Sequence, residues 1–191
     1  MYGLVNNGIR TFIAEHYGEE AWCAICADAG VDDVSFESMM SYEDAVTYDL
    51  VGAICRKLDL TAEQVLEMFG HFWVGFSSET SIGKVMQFQG DSFVDRLASL
   101  DEMHDRVRLA MPHLMPPSFE FEEGADGMHR LHYHSHRKGL QPMVMGLLRG
   151  LSEESGIEIA VRIAESRGDG HDHDVFEIRV VDASKAAGES A

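Results

Sequence analysis

Apolar residues recur along the first half of the chain at helical spacing. Over residues 3–17, Val5, Ile9, Phe12, Ile13 and His16 fall on one face, and over 43–58 Val46, Leu50, Val51, Ile54 and Leu58 repeat the pattern. Thr61-Ala-Glu-Gln64 reads as a capping box opening a further helix that buries Val65, Leu66 and Phe69. Residues 70–76 read as an aromatic junction, followed by a short helix carrying Ile82, Val85 and Met86. The clearest stripe runs unbroken over 91–111 through Phe93, Leu97, Leu100, Val107 and Met111, and Pro112 ends it because proline cannot continue the ladder. His104 lies on that stripe, four residues after Leu100 and three before Val107, and so faces the core.

Beyond the proline-rich link 111–117 the period shortens to two. Residues 118–123 and 128–137 read as two strands around the turn Gly124-Ala-Asp-Gly127. Residues 142–155 form a helix with proline near its start and Gly156 just past its end. Ile157, Ile159, Val161 and Ile163 then alternate with polar or small residues, as do Phe176, Ile178 and Val180 after the turn at 168–170. Helices first and antiparallel strands later make an α+β fold, and 182–191 is expected to be a flexible tail.

A chain of 191 residues with 45% hydrophobic positions is one domain, long enough to bury a core without disulfides or metal staples. Its charge is lopsided: 15 Lys and Arg stand against 33 Asp and Glu, a net charge of -18. Such a surface repels phosphate backbones and anionic lipid, so nucleic acid and membrane are not expected partners, and a basic partner surface is favoured. The three cysteines make no disulfide framework, and Cys23-x-x-Cys26 lacks a second ligand pair for zinc; all three read as inert buried thiols. The opening residues are too polar for a signal peptide, and a cytoplasmic protein is expected.

Ten histidines carry most of the candidate chemistry. A histidine on an apolar helical face, such as His104, is most often a core residue bonded to backbone; the functional alternative is a metal or haem ligand, whose Fe–N bond a dry pocket protects. In Met128-His-Arg-Leu-His-Tyr-His-Ser-His-Arg137, strand alternation puts His132, His134 and His136 on one face and Leu131, Tyr133, Ser135 and Arg137 on the other. The histidine row is either a solvated face or a zinc or copper site with neighbours ~7 Å apart. The Tyr-x-Ser-x-Arg face aligns three donors, one permanently charged, which suits a ligand with two carboxylates such as the propionates of haem. His171-Asp-His-Asp174 reads as a solvated turn. No nucleophile triad or phosphate-cradling loop is present in the sequence, so catalysis is not expected.

His104 on an apolar helix, the Pro116-Pro117 link, Tyr133-x-Ser135-x-Arg137, the Met1-x-Gly3 start and Phe69-Gly-x-Phe-Trp73 together resemble the H-NOX family over roughly residues 1–181. These are haem nitric oxide/oxygen-binding domains related to the haem domain of soluble guanylate cyclase. The resemblance implies haem b buried between a helical N-terminal subdomain (1–60) and a larger C-terminal subdomain (61–181) carrying a four-stranded antiparallel sheet. It implies His104 as axial iron ligand, Tyr133, Ser135 and Arg137 on the propionates, and Pro116 or Pro117 pressed on the macrocycle. Asp44 would pair with Arg137 and tie the two parts together. The distal wall would comprise Val5, Ile9, Trp73, Val74, Leu140 and Met143, with Met145 nearby.

Oxygen-holding members carry a distal tyrosine nine residues after the first residue of Tyr-x-Ser-x-Arg; the corresponding place is Pro142, which offers no donor. Iron-bound oxygen needs a hydrogen bond and nitric oxide does not, so nitric oxide is the expected ligand, with carbon monoxide also expected to bind. Nitric oxide weakens the bond opposite it, and relaxation of the Fe–His104 bond, the haem and the helix would carry the signal. With no catalytic domain within 191 residues, the expected output is to a separate histidine kinase or cyclic-di-GMP enzyme, as in bacterial relatives. The alternatives are an oxygen sensor, or a zinc protein built on His132, His134 and His136. The cysteine-rich zinc site of some relatives has no counterpart, since no cysteine follows Cys55.

Overall fold

The computed structural model describes residues 1–32, 36–80 and 92–181. Helices α1 (Gly3–Tyr17), α2 (Glu19–Ala29), α3 (Asp44–Leu58) and α4 (Ala62–Glu79) come first, then α5 (Phe93–Ala98) and α6 (Leu100–Ala110). Strands β1 (Ser118–Glu122) and β2 (Met128–His134) form a hairpin; α7 (Gln141–Glu154), β3 (Glu158–Glu165) and β4 (Asp174–Val181) complete the chain. All pairings are antiparallel and the strand order is β1-β2-β4-β3, with β4 inserted between the hairpin and β3. The α+β class and the four-stranded sheet are as the periodicities predict.

Three elements differ from the sequence expectation. Helix α2 was not foreseen, yet it buries Trp22, Ile25 and Cys26. Its separation from α1 is made by Gly18, whose φ of 89° an ordinary side chain would resist. Of the three cysteines only Cys26 is buried, whereas Cys23 is exposed and Cys55 half-buried. The aromatic stretch 70–76 is not a junction but the second half of α4, entered through the predicted capping box, in which Gln64 N–H donates to the Thr61 hydroxyl at 3.2 Å. The predicted helix over 91–111 is broken at Ser99, where φ −91° and ψ 0° end α5 and start α6, and the Ser99 hydroxyl donates to the Arg96 carbonyl at 3.1 Å. A serine hydroxyl competes with the helical ladder for backbone acceptors, and periodicity alone does not register that competition. The short helix expected at Ile82, Val85 and Met86, and the tail 182–191, lie outside the described residues.

The sheet's inner face is mostly apolar: Phe119, Leu131, Tyr133, Phe176 and Ile178 are buried there, together with His129 and Asp174. Its outer face carries cross-strand charge pairs, including Arg130 with Glu165 at 2.9 Å. On the helical side α4 and α7 lie backbone to backbone. A Cβ at Gly70 would run into the Met143 carbonyl, and one at Gly146 into the Glu67 carbonyl. Gly146→Ala gains about 1 kcal/mol of helix propensity, but the collision is with main chain that cannot rotate away, and overpacking costs about 1–3 kcal/mol. The clash wins, so the variant should melt several degrees below the wild type in a thermal unfolding scan followed by circular dichroism.

Candidate functional site

Between the helical layer and the inner face of the sheet the core is left open. The cavity, including its mouth, comprises about 1420 Å3 of space not filled by protein atoms. Its lining is mostly apolar: Leu100, Met103 and Val107 come from α6, Val5 from α1, Trp73 and Val74 from α4, and Met143, Val144 and Leu148 from α7. The link 111–117 closes one side with Met115, Pro116 and Pro117, and Phe119, Leu131 and Tyr133 close the sheet side.

His104 is the one imidazole in this lining. Its Nδ1 lies 2.7 Å from the Leu100 carbonyl oxygen, one turn back on α6. A carbonyl only accepts, so Nδ1 carries the proton and Nε2 keeps a lone pair. Burial pushes the imidazole's pKa down, against the opposing pull of that hydrogen bond, so the ring stays neutral. Phe119 packs beside it, with ring centroids 5.0 Å apart, and Tyr133 follows at 5.4 Å from Phe119. Helix α6 is tied to the sheet by Asp101, whose carboxylate accepts the Phe119 N–H at 3.0 Å.

Tyr133, Ser135 and Arg137 all reach the cavity, Tyr133 by strand alternation and the other two by a route that alternation does not give. Strand β2 ends at His134, so Ser135 and Arg137 follow in the turn that leads to α7. The Arg137 side chain, 13% exposed, donates from Nε to Asp44 at 2.9 Å and from Nη1 to the Met115 carbonyl at 3.1 Å. Its own N–H donates to the Ser135 hydroxyl at 3.2 Å. Burial raises the Tyr133 phenol above its ordinary range, with the Ser135 hydrogen bond opposing, so it remains a donor. Burial also pushes Asp44 up, but hydrogen bonds from the N-terminal ammonium and Arg137, with their charges, outweigh it and hold the carboxyl below its ordinary 3.8. The pairing of Asp44 at the start of α3 with Arg137 across the cavity mouth is therefore present.

Other predicted residues sit differently. Pro142 occupies the first turn of α7 and does not line the cavity; the residue that does is its neighbour Met143. Counting nine residues from Tyr133 thus falls one short of the inward-facing position, although a thioether also lacks a donor. Ile9 is buried against a second cavity, which shares Met1, Val5, Leu140 and Met143 with the first. The histidine row does not form, because His136 lies past the end of β2, and His173 takes its place beside His132 and His134. Among the described residues no group of three His, Cys, Asp or Glu side chains is disposed to hold a metal ion. Asp174, expected in a solvated turn, is buried and accepts from the Arg167 N–H at 2.9 Å and the Gln141 amide at 3.0 Å. Sequence reasoning missed Phe119 and Arg167. The guanidinium of Arg167 holds the Ser135 carbonyl. Phe119 carried a signal in its alternation with Phe121, whereas nothing local marks Arg167.

A family profile described as Haem-NO-binding matches residues 2–163. The chain belongs to that family. Its members are haem-based gas sensors, and the domain is a sensor module rather than a catalytic one. Soluble guanylate cyclase gcy-31 of Caenorhabditis elegans is 33% identical over 157 residues, covering 81% of this chain and 22% of that protein. Soluble guanylate cyclase 89Db of Drosophila melanogaster is 25% identical over 170 residues, covering 88% and 25% respectively. The chain thus spans about a quarter of the length of these curated relatives. An H-NOX protein from S. oneidensis, solved in the Fe(II)NO ligation state, has the same fold at a TM-score of 0.86 and 19% identity, covering 95% of this chain and 100% of the other.

The Asp44 pair makes this H-NOX domain acid-sensitive in a definite direction. A carboxyl lowered by folding contributes stability above its unfolded pKa, and that contribution disappears as pH falls through the folded value. Asp44→Asn should therefore melt below the wild type at pH 6, and the gap should close as pH drops under about 4, measured as melting temperature against pH.

Proposed function

We propose that this H-NOX domain carries haem b in the large cavity through His104, senses nitric oxide there, and reports to a separate effector protein. The observation that carries the reading is the tautomer of His104: with Nδ1 committed to Leu100, the bare Nε2 belongs to a neutral imidazole in an apolar cavity. That is the donor an iron porphyrin requires, and a carbonyl bonded to the opposite nitrogen fixes the ring as in other metal-ligating histidines. The remaining lining also suits the group: a broad apolar space with Tyr133, Ser135 and Arg137 at one end.

Bound haem would supply a ferrous iron able to take a diatomic gas, with His104 as the residue that would hold the iron. The chain's own residues do the rest. Arg137, already oriented by Asp44 and the Met115 carbonyl, pairs with a propionate carboxylate, and the hydroxyls of Tyr133 and Ser135 complete the anion-binding end. Pro116 and Pro117 form a stiff wall, since their φ angles are fixed. Val5, Trp73, Val74, Leu140 and Met143 exclude water from the gas side, and the Ser77 hydroxyl is committed to the Val74 carbonyl at 3.2 Å. Of these five side chains only Trp73 carries a donor, its indole N–H, and a wall so poor in donors favours nitric oxide, and also carbon monoxide, over oxygen. Ile9 backs this wall from the neighbouring cavity.

The effector is read as a histidine kinase or a cyclic-di-GMP enzyme in the cytoplasm, with a basic docking surface facing this acidic domain; neither nucleic acid nor membrane is assigned a part. The protein, purified and reduced without air, should be red, show five-coordinate ferrous haem, respond to nitric oxide and stay unchanged in air apart from slow oxidation. A colourless protein that takes up no haem would overturn the reading. His104→Gly should lose the five-coordinate spectrum and regain it with added imidazole. Met143→Tyr places a phenol at the inward-facing position and should give a lasting spectral change in air that the wild type lacks.

A further inference from the structure

On the outer face of the sheet, His132, His134 and His173 form a cluster unconnected to the cavity's chemistry. His173 Nδ1 lies 2.6 Å from the Asp172 carboxylate, and His132 Nδ1 lies 2.8 Å from His173 Nε2. The His134 ring stacks on His173 at 4.2 Å. The carboxylate only accepts, so His173 holds its proton on Nδ1 and presents Nε2 as a lone pair. His132 must then donate from Nδ1, which strips the proton from its Nε2. That atom is buried without a hydrogen-bond partner, and the nearest carboxylate oxygen, of Glu122 on β1, is 3.5 Å away. Two acceptors face each other there.

We propose that His132 Nε2 is a proton-binding site, and that its protonation latches β1 to β2 through Glu122. A proton arriving at Nε2 turns an acceptor–acceptor contact into an imidazolium–carboxylate pair while the hydrogen bond to His173 is kept. The other charged groups facing this cluster leave the slot to His132. Glu120, paired with His132 in the sheet register, is exposed; Glu165 is engaged by Arg130 at 2.9 Å and by His171 at 3.4 Å. Asp172 is held low by its hydrogen bond from His173, and stays an acceptor. The latched hairpin carries Phe119 and Tyr133, so proton uptake stiffens the strands that flank the cavity. The inference does not depend on haem binding.

The test reads the imidazole nitrogens of the full chain by 15N–1H correlation spectroscopy, with and without added haem. At pH 8, His173 and His132 should both be Nδ1–H tautomers. On acidification to pH 5.5, the first proton taken up by the trio should appear on His132 Nε2. Glu122→Gln, whose amide can donate to the bare nitrogen, should hold His132 neutral to a lower pH. Amide exchange at Phe119 and Tyr133, corrected for intrinsic rates, should slow about tenfold between pH 8 and pH 6 in the wild type and not in the variant. A His132 Nε2–H tautomer at pH 8, or a first proton landing on His134 or His173, would overturn the proposal. So would a titration indifferent to Glu122→Gln.

Discussion

Gly70 and Gly146 let the backbones of α4 and α7 touch, and that contact allows this fold to keep a large internal space. An unfilled core forfeits dispersion contacts along its whole lining, so the walls must be held by something other than side chains meeting across the gap. Here the helix pair acts as a beam. Its residues on one side, Trp73, Val74, Met143 and Val144, line the cavity, while the glycines on the contact lock the two axes together. On the opposite side stands the four-stranded sheet, with Phe119, Leu131, Tyr133 and Phe176 placed by cross-strand register. A flat apolar cofactor inserted between two such layers recovers the contacts the protein lacks, and binding of that kind stabilises the native state by mass action.

Two sets of polar groups border this space and differ in kind. At the mouth, Arg137 joins Asp44 and the Met115 carbonyl, so it ties the start of α3 and the link 111–117 to the turn before α7. Deep in the cavity the lone basic nitrogen of His104 is kept neutral by burial. Neither arrangement would survive exchange: an arginine in place of His104 would bury an uncompensated charge, and a histidine in place of Arg137 would lose the fork that reaches both acceptors.

Much of what depended on periodicity within one element was legible in the sequence. The helical faces of α1, α3 and the first half of α4, the two-residue alternation in all four strands and the inward placement of His104 follow from spacing, whereas α2 and the aromatic second half of α4 did not register as helix. Two kinds of feature escaped. Where a local side chain competes with the backbone, as Ser99 does, the apolar stripe runs on although the helix does not. Where a residue acts after its element has ended, alternation assigns the wrong reason: Ser135 and Arg137 reach the cavity by the turn beyond β2, and the same turn removes His136 from the histidine row. Arg167 holds the Ser135 carbonyl from 32 residues away, a relation that no local pattern encodes.

The placement of α6 gives the fold its capacity to respond. This helix is short and carries His104 on the cavity side. Its other side is exposed, with Leu109 83% accessible. Its ties to the rest of the protein run to the sheet through Asp101 and the Phe119 N–H, and to the link through Arg108 and the Pro117 carbonyl at 3.4 Å. Any force applied at His104 therefore acts on β1 and on the proline wall together, since the same helix holds both. Packed cores pass such a displacement between a few discrete arrangements rather than absorbing it continuously. A ligand event inside the cavity thus has a short mechanical path to an exposed helix face, and that path runs through the Asp101 and Arg108 side chains to backbone groups of β1 and of the link.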